Sequence, residues 1–184
     1  MIRVLHITNG ADLGGISTMI LNYYKNINRE EFHFDFVSPL HEEGVNGKIL
    51  QKMGSIFYFV PRKIDGFIKH IRELDRLMKK EHFDVLHVHS NLTSYVALIV
   101  AWKNGIKIRI AHGHNADYRR NRLKDRLHRG VAHLLIGLFA TDRLACSKES
   151  LRYTFGKKAL NKRNTMVLPN AIDLGKFSFD VETR

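Results

Sequence analysis

The chain has 184 residues, of which 44% are apolar and 26% are charged, and this is enough for one globular domain with its own core. Its 30 lysines and arginines outnumber 18 acidic residues, and the net charge of +12 favours contact with a phosphate-bearing or anionic partner without identifying which kind. No stretch has the roughly 20 uncharged apolar residues of a spanning helix, the first residues lack a signal-peptide pattern, and a single cysteine, Cys146, excludes an internal disulfide, so we expect a cytoplasmic protein.

Short apolar runs rich in Val and Ile alternate along the chain with longer stretches of helical periodicity. This alternation predicts right-handed β-α-β crossovers, and therefore one Rossmann-like α/β domain with a mostly parallel sheet flanked by helices on both faces. Near-continuous apolar residues within the strands agree with burial on both faces. In chain order the pattern predicts strands at residues 2–8, 32–38, 56–60, 84–89, 106–112, 143–146 and 166–168, and helices at residues 16–28, 44–53, 67–80, 92–103, 122–139 and 148–155.

Polar and glycine residues gather after the first predicted strand, where an open parallel sheet usually binds its ligand. Asn9, Gly14 and Gly15 precede a helix whose first turn holds Ser17 and Thr18. Glycines let a ligand approach the backbone closely, and the free N–H groups of a helix start suit a phosphate. A Gly-Gly pair is also common in ordinary turns, and the spacing here is not the GxGxxG fingerprint, which counts against an NAD site.

The fourth predicted strand ends in DVLHVHSN, residues 84–91, which places two histidines on one face of the strand. Two histidines could ligate a metal, but no third ligand accompanies them at a plausible local spacing, so we predict no metal site. We interpret His87 as a core residue, whereas His89 and Asn91 lie at the strand end and are candidate site residues.

The fifth predicted strand is followed by a denser group of the same kind. It ends in IAHGHNAD, residues 110–117, which contains His112, His114, Asn115 and Asp117. Several ligand-capable residues at one strand tip exceed what a turn requires, and this favours a functional role for them.

Five short motifs, in a fixed order, together resemble a known protein family. They are Gly-Gly after the first strand, DVLHVH at 84–89, His-Gly at 112–113, ACSKES at 145–150 and VLPNAID at 167–173. Over essentially its whole length the chain resembles the amino-terminal domain of the retaining glycosyltransferases of family 4, which have the GT-B architecture of two Rossmann-like domains. The segments HITNGADLGGISTMILNYYKNI and FHFDFVS most resemble transferases of capsular and exopolysaccharide biosynthesis.

The resemblance implies that these residues form one half of an enzyme. Residues 1–170 correspond to the acceptor-side domain and residues 171–184 to the start of the interdomain linker, and the family's donor-binding domain is absent from this sequence. The complete enzyme would move a sugar from a nucleotide-diphosphate sugar to a glycan or lipid-linked acceptor, with retention of configuration and without a cofactor. This half alone is expected to be inactive.

The resemblance also assigns roles to individual residues. The loop with Asn9, Gly14 and Gly15 would lie against the donor diphosphate. His112 corresponds to the histidine that contacts the donor sugar near the reacting carbon, and His114 is close enough to share or take that role. No side-chain base is assigned, because the leaving phosphate itself would take the acceptor proton. The acceptor side is assigned to His89, Asn91, Asn115, Arg119 and Arg120.

A basic segment leads into the predicted helix at 122–139. Leu123, Leu127, Val131 and Leu134 follow one another there at amphipathic spacing. Such a segment is either an ordinary solvated face or a surface for anionic lipid head groups and for the phosphates of a lipid-linked acceptor. We therefore expect peripheral binding at the inner face of the cell membrane. The basic residues between positions 118 and 129 are Arg119, Arg120, Arg122, Lys124, Arg126 and Arg129.

Two other function classes stay open at this point. A sugar-nucleotide epimerase also has two Rossmann-like domains, but it would carry a different loop after the first strand and would lack the H-x-H pattern in the fourth. A non-enzymatic module that binds membranes or nucleic acid is supported by net charge alone. The sequence has no aromatic-rich binding strand and no recognisable DNA-reading motif, so we expect no nucleic-acid partner.

Overall fold

A computed structural model describes residues 1–8, 10–116 and 122–174 of the chain. The strands are β1 (Ile2–Ile7), β2 (Phe32–Ser38), β3 (Phe57–Phe59), β4 (Val85–Val88), β5 (Ile108–Gly113), β6 (Asp142–Ala145) and β7 (Thr165–Val167). The helices are α1 (Gly15–Asn26), α2 (Val45–Lys52), α3 (Phe67–Glu81), α4 (Tyr95–Lys103), α5 (Leu123–Phe139) and α6 (Lys148–Phe155). Short 3-10 helices lie at Lys63–Asp65, Asn91–Ser94 and Lys157–Asn161.

The strands lie side by side in the order β3-β2-β1-β4-β5-β6-β7, and each neighbouring pair is parallel. The strand order reverses between β1 and β4, because β1 to β3 extend the sheet on one side and β4 to β7 extend it on the other. Such a switch point leaves a crevice at the carboxyl ends of the strands, where folds of this class bind ligands. The predicted parallel α/β fold is confirmed, and its expected site lies near β1 and β4.

Two apolar layers hold the helices against the sheet. On one face, Leu5 and Leu86 pack with side chains of α3, α4, α5 and α6. On the other face, Val4, Phe34 and Val85 pack with side chains of α1 and α2. Successive residues of a strand point to opposite faces, which is why Val4 and Leu5 supply different layers. The helices contribute Leu74, Leu98, Ile136 and Leu151 to the first layer and Ile20, Tyr24 and Leu50 to the second.

Most predicted helices and strands agree closely with the structure, and the largest difference is at the start of α4. The helix predicted at 92–103 begins as the 3-10 helix Asn91–Ser94, and the α-helix starts only at Tyr95. Asn91 has a positive φ of 48°, a left-handed conformation that an α-helix does not continue. Its side-chain Oδ1 accepts a hydrogen bond of 2.8 Å from the backbone N–H of His114, so this turn ties the end of β4 to the end of β5.

The face covered by α1 and α2 carries a group of histidines beside its apolar layer. His6 and His87 are direct neighbours in the parallel pairing of β1 with β4, and their ring centroids are 5.0 Å apart. The rings of His87 and His112 are 5.3 Å apart, and those of His89 and His114 are 5.0 Å apart. We call these five residues the histidine cluster. His6, His89 and His112 are each at most 3% exposed.

Burial keeps the histidine cluster uncharged at neutral pH, because removal from water disfavours the protonated imidazole. Burial lowers the pKa of His87 to about 3, that of His112 to about 2 and that of His114 to about 4. The pKa values of His6 and His89 lie well below the ordinary histidine value, first through burial and second through repulsion from neighbouring rings. Five polar side chains are therefore packed into this face as neutral groups.

These lowered pKa values predict that the domain loses stability as the pH falls below about 6.5, the ordinary value for histidine. Below that pH the unfolded chain takes up protons on these imidazoles, whereas the folded chain does not, so protons favour unfolding. Each such histidine removes about 1.4 kcal/mol of unfolding free energy per pH unit. Urea unfolding followed by circular dichroism in EDTA should therefore give a much lower unfolding free energy at about pH 5.5 than at about pH 7.5.

A His114→Gln variant is the matched control for this measurement. Glutamine is polar but does not titrate, so the unfolding free energy of the variant should fall less steeply with pH than that of the parent chain. Equal unfolding free energies of the parent chain at the two pH values would contradict the prediction.

Candidate functional site

A groove follows the carboxyl edge of the sheet and consists of three adjoining cavities. The glycine cavity, of about 270 Å³, is lined by Gly14 and Gly15. The central cavity, of about 620 Å³, lies at the ends of β1 to β4, and the far cavity, of about 220 Å³, lies beside the start of α5. Thr8 borders both the glycine and the central cavity, and Asn91 and Asn115 border both the central and the far cavity. The predicted site region is thus one continuous groove.

The glycine loop leaves open space in front of its backbone. A Cβ added to Gly15 would meet no atom within 4 Å, and one added to Gly14 would meet only the Ser17 hydroxyl at 3.9 Å. Gly14 is the N-cap of α1, and no side chain in the described part of the chain caps this helix start. Its first N–H groups can therefore hydrogen-bond to an anionic ligand, as a helix start does in many phosphate sites.

Two polar side chains fix the glycine loop from behind. The Ser17 hydroxyl donates to the carbonyl oxygens of Gly14, at 3.0 Å, and of Asp12. Asn46 of α2 donates to the Asp12 carbonyl at 3.1 Å and to the Thr18 hydroxyl at 3.0 Å. Ser17 and Asn46 are both buried, and their hydrogen bonds fix the position of the loop. Asn46 carried no sequence signal, because it lies in a different helix from the loop that it supports.

Three residues that the sequence assigned to the acceptor side meet in the groove. His89, Asn91 and Asn115 all line the central cavity. Asn115 is exposed, whereas His89 is buried in the cavity wall. The structure brings these side chains together, and their roles in acceptor binding stay predictions.

Hydrogen bonds join the histidine cluster into two chains. In the first, Nδ1 of His6 lies 3.1 Å from Nε2 of His89, and Nδ1 of His89 lies 2.8 Å from Nε2 of His114. In the second, Nε2 of His87 lies 3.1 Å from Nδ1 of His112. The sequence analysis interpreted His87 as a core residue. In the structure its side chain is half-buried, and it takes part in this network through its hydrogen bond to His112.

The two histidines with predicted catalytic roles lie behind the wall of the groove. His112 is fully buried, and neither His112 nor His114 lines any of the three cavities. His114 is partly exposed, and its carbonyl oxygen accepts a hydrogen bond of 3.0 Å from the Cys146 thiol. The choice between the two, which the sequence left open, is therefore between a buried and a partly exposed ring.

The sequence analysis missed a basic wall of the central cavity. Arg62 and Lys63 follow β3 and line this cavity together with His70 of α3. The Lys63 ammonium donates to the Thr93 carbonyl at 3.0 Å, and burial lowers the pKa of Lys63 to about 8. A signal was available, because β3 ends at the same edge as the other strands and its following residues belonged among the candidates.

The sequence argument against a metal site considered only ligands close together in the chain. The structure brings in histidines from neighbouring strands. Two sets of three histidines each offer one ring nitrogen such that the three nitrogens lie within 4.8 Å of one another. These sets are His6, His87 and His89, and His89, His112 and His114. A third candidate ligand is therefore present in space, although it lies far away in the sequence.

Some predicted site residues cannot be placed. Asn9, Asp117, Arg119 and Arg120 lie outside the described residues. The predicted contribution of Asn9 to the glycine loop, and that of the two arginines to the acceptor side, stay predictions.

The outer face of α5 exposes an apolar stripe that we call the α5 surface. Its members are all more than half exposed: Leu123, Leu127, Val131, Leu134 and Leu138. The side chains of Arg122, Lys124 and Arg126 are exposed around the start of this helix. Among the described residues, no helix has the length and apolar character needed to cross a bilayer. The amphipathic spacing seen in the sequence is confirmed as an exposed stripe.

Comparison with curated proteins finds relatives named as glycosyltransferases. The chain is 27% identical over 181 residues to EpsF of Bacillus subtilis (strain 168), a protein designated a glycosyltransferase, which aligns 96% of the chain with 47% of EpsF. It is 27% identical over 170 residues to the capsular polysaccharide biosynthesis glycosyltransferase CapH of Staphylococcus aureus, covering 91% of the chain and 46% of CapH. The chain therefore spans about half the length of the curated relatives that it matches.

Solved structures show the same fold at low sequence identity. HepE of Anabaena, solved with UDP and glucose, superposes with a TM-score of 0.71 at 14% identity, over 99% of this chain and 48% of HepE. A UDP-N-acetylglucosamine 2-epimerase superposes with a TM-score of 0.60 at 12% identity, over 92% of this chain and 48% of the epimerase. The fold is thus that of one half of such enzymes, and fold alone does not separate transferases from epimerases.

The match to a sequence family distinguishes the transferases from the epimerases. A family model described as Glycosyltransferase Family 4 matches residues 13–176, which is most of the chain. This match and the named relatives decide against the epimerase alternative. The chain belongs to glycosyltransferase family 4.

Proposed function

We propose that this chain is the acceptor-side half of a glycosyltransferase that moves a sugar from a nucleotide-diphosphate sugar to a glycan or lipid-linked acceptor in capsular or exopolysaccharide assembly. The observation that carries the proposal is the groove at the carboxyl edge of the sheet, with an uncapped glycine loop at one end and basic side chains in its centre. The relative CapH, named for capsular polysaccharide biosynthesis, supports the pathway, and the UDP and glucose bound by HepE support the donor class.

The groove divides by chemistry into a donor end and an acceptor part. The start of α1 at Gly14 and Gly15 suits the donor diphosphate, because its N–H groups are free. Arg62 and Lys63 suit the phosphates of a lipid-linked acceptor, since both cationic side chains reach the central cavity. One relative, from Escherichia coli, is named as a galactosyltransferase acting on a GlcNAc-diphosphoundecaprenol, which is an acceptor of this type.

In the proposed reaction the bond between the sugar's anomeric carbon and the donor phosphate breaks, and an acceptor hydroxyl bonds to that carbon with retention. The acceptor proton goes to the leaving phosphate, so no side-chain base is required. The protein contributes by positioning both substrates and by stabilising the charge that develops on the diphosphate. His114, the partly exposed end of the histidine network, is the better candidate to meet the donor sugar when the groove is closed.

A second domain is required for donor binding in this proposal. Residues 1–170 form the acceptor-side domain, and residues 171–184 begin the linker to the donor domain. The chain after β7 runs along α1, where the hydroxyl of Tyr23 donates to the Pro169 carbonyl at 3.3 Å and Asn22 donates to the Ala171 carbonyl at 3.1 Å. The path of the linker thus begins on the helix that carries the glycine loop.

The chain of 184 residues should catalyse no transfer by itself and should bind sugar nucleotides weakly. Its glycine loop offers hydrogen bonds to a diphosphate. In this proposal the groups that hold the base and ribose of the donor belong to the second domain. Isothermal titration with UDP-glucose and UDP-galactose should show no saturable binding in the micromolar range, whereas the full-length enzyme should bind its own donor. Micromolar binding by the isolated chain would overturn the assignment of donor binding to a second domain.

Replacing His114 by Ala in the full-length enzyme should lower the turnover number by about 100-fold, because the donor sugar would lose a group that positions it. The thermal unfolding temperature should fall less than in His112→Ala, because the His114 ring is partly exposed. His112→Ala should lower both turnover and the unfolding temperature, since it empties a fully buried position. Steady-state transfer and differential scanning calorimetry separate the two effects.

His41→Ala is the control for these variants, because His41 is exposed and lies outside the histidine cluster. It should keep the parental turnover and unfolding temperature. Parental turnover in both His112→Ala and His114→Ala would remove the two histidines from the proposed reaction.

We also propose that the α5 surface binds the cytoplasmic face of the membrane. Apolar side chains on one stripe with exposed cations at the helix start are the arrangement of an interfacial helix. Cations near the surface are attracted to anionic lipids, and buried leucines add affinity in proportion to their apolar area. An anionic bilayer therefore fits this surface in both charge and polarity.

The double variant Leu127→Ser, Leu134→Ser should bind weakly to vesicles that contain about one third phosphatidylglycerol, because it removes half-exposed apolar area from the middle of the stripe. Vesicle co-sedimentation measures this, and pure phosphatidylcholine vesicles should bind the parent chain less. Val45→Ser is the control, since Val45 is also half-exposed but lies on α2, which packs on the other face of the sheet. Undiminished sedimentation of the double variant would rule out the α5 surface as the docking site.

A further inference from the structure

The histidine cluster is larger than the proposed reaction requires. The chain has 11 histidines, and the cluster brings five of them into ring contact on one face of the sheet. The proposed sugar transfer uses one or two of these rings. The remaining rings occupy buried or half-buried positions where an apolar side chain would need no hydrogen bonds.

The hydrogen bonds of the cluster leave ring nitrogens without partners. A neutral imidazole has one N–H and one lone pair, so a chain of three rings ends in an N–H at one side and a lone pair at the other. In the chain from His6 through His89 to His114, both end atoms, Nε2 of His6 and Nδ1 of His114, are buried and have no hydrogen-bond partner among the described residues. Nε2 of His112 is buried in the same condition. Buried polar atoms are normally satisfied. A metal ion can satisfy ring nitrogens that present a lone pair, which is open to Nε2 of His112 and to one end of the three-ring chain.

The spacing of the rings is close to that of a metal site. In tetrahedral coordination with bond lengths of about 2.0–2.1 Å, two ligand nitrogens lie about 3.3–3.4 Å apart. Nδ1 of His89 and Nε2 of His114 are 2.8 Å apart, so these two rings would need to move apart only slightly to admit an ion between them. In the set of His89, His112 and His114, one nitrogen of each ring lies within 4.8 Å of the other two.

Two observations favour the set of His89, His112 and His114 over the set that contains His6: its access from the groove and its ring nitrogens without hydrogen-bond partners. Two of the three unpartnered nitrogens belong to His112 and His114. His89 lines the central cavity, which gives an ion a path from the groove. His6, in contrast, is enclosed by Phe34 and Phe36, with ring centroids 4.5 and 5.3 Å away.

We propose that His89, His112 and His114 form a binding site for one transition-metal ion, with Zn²⁺ as the ion that best fits three imidazole ligands. Neutral imidazole suits zinc, copper and nickel, whereas magnesium and calcium prefer oxygen ligands that these three side chains lack. Three protein ligands leave a fourth coordination position for water or for an oxygen of a molecule in the groove. The site shares His112 and His114 with the proposed sugar transfer, but metal binding to the 184-residue chain can be measured without any transfer activity, so the two proposals can fail separately.

The test is direct metal binding to the 184-residue chain after removal of metals with EDTA. Calorimetric titration with Zn²⁺ should show one equivalent bound, and the unfolding temperature should rise when the ion is added. Titration with Co²⁺ should produce the visible absorption bands of a tetrahedral cobalt site. Less than one equivalent, or binding without a rise in the unfolding temperature, would overturn the proposal.

Variants identify the ligands. His114→Gln should weaken Zn²⁺ binding by at least about tenfold and remove the cobalt bands, and its circular dichroism spectrum should stay parental because the side chain is partly exposed. His41→Gln, at an exposed histidine outside the cluster, should bind zinc as the parent does. His6→Phe, beside Phe34 and Phe36, should also keep the site. Loss of binding in His6→Phe with retention in His114→Gln would contradict the assignment.

Discussion

Parallel pairing of β1, β4 and β5 is the constraint on which the rest of the structure depends. Parallel strands end at the same edge of a sheet, and residues in register on neighbouring strands share a face. The first property collects the glycine loop, Asn91 and Asn115 in one groove, although they are far apart in the sequence. The second sets His6 beside His87 and carries the row of rings on to His112. Groove and histidine cluster are therefore two consequences of one pairing pattern.

The two faces of the sheet are buried by different kinds of side chains. The face under α3 to α6 is closed by aliphatic side chains such as Leu86 and Leu98, which need no partners. The face under α1 and α2 combines Val4 and Phe34 with neutral imidazoles, which must find hydrogen bonds after losing water. The imidazoles make most of these hydrogen bonds with one another. The first face thus contributes stability that is insensitive to pH, and the second introduces polarity directly behind the groove.

Much of the fold follows from local sequence patterns. The periodicity of apolar residues within a segment indicates whether it forms a strand or a helix. This is why the alternation of elements and the strand positions were predicted correctly. The start of α4 was not, because Asn91 adopts its left-handed conformation to meet the backbone of His114, a contact between two loops. The helix propensity of a segment does not indicate a contact with a distant part of the chain, such as the hydrogen bond between Asn91 and His114.

In the candidate site, too, residues with a signal in their own segment were predicted, and residues that meet only through the fold were missed. Gly14, Asn91 and Asn115 were found because each follows its own strand, whereas Asn46 supports the glycine loop from another helix. A third candidate histidine ligand was absent at local spacing but lies close in space across β4 and β5. Strand order and register decide such neighbours, and a single sequence without its pairing pattern does not specify them. The burial of His112 likewise depends on the covering layers rather than on its own motif.

The position of α5 connects the groove to the proposed membrane surface. Asp125, His128 and Arg129, in the first turns of α5, line the far cavity, while Leu123 and Leu127 are exposed on the same turns. A helix with its side chains is only about 10–12 Å across, so these two faces are separated by one helix diameter. If α5 lies in the head-group layer, the far end of the groove is held at the depth of lipid phosphates. A lipid-linked acceptor could then enter the groove with its diphosphate still at the membrane surface, where Arg62 and Lys63 of the adjoining cavity offer cations to it.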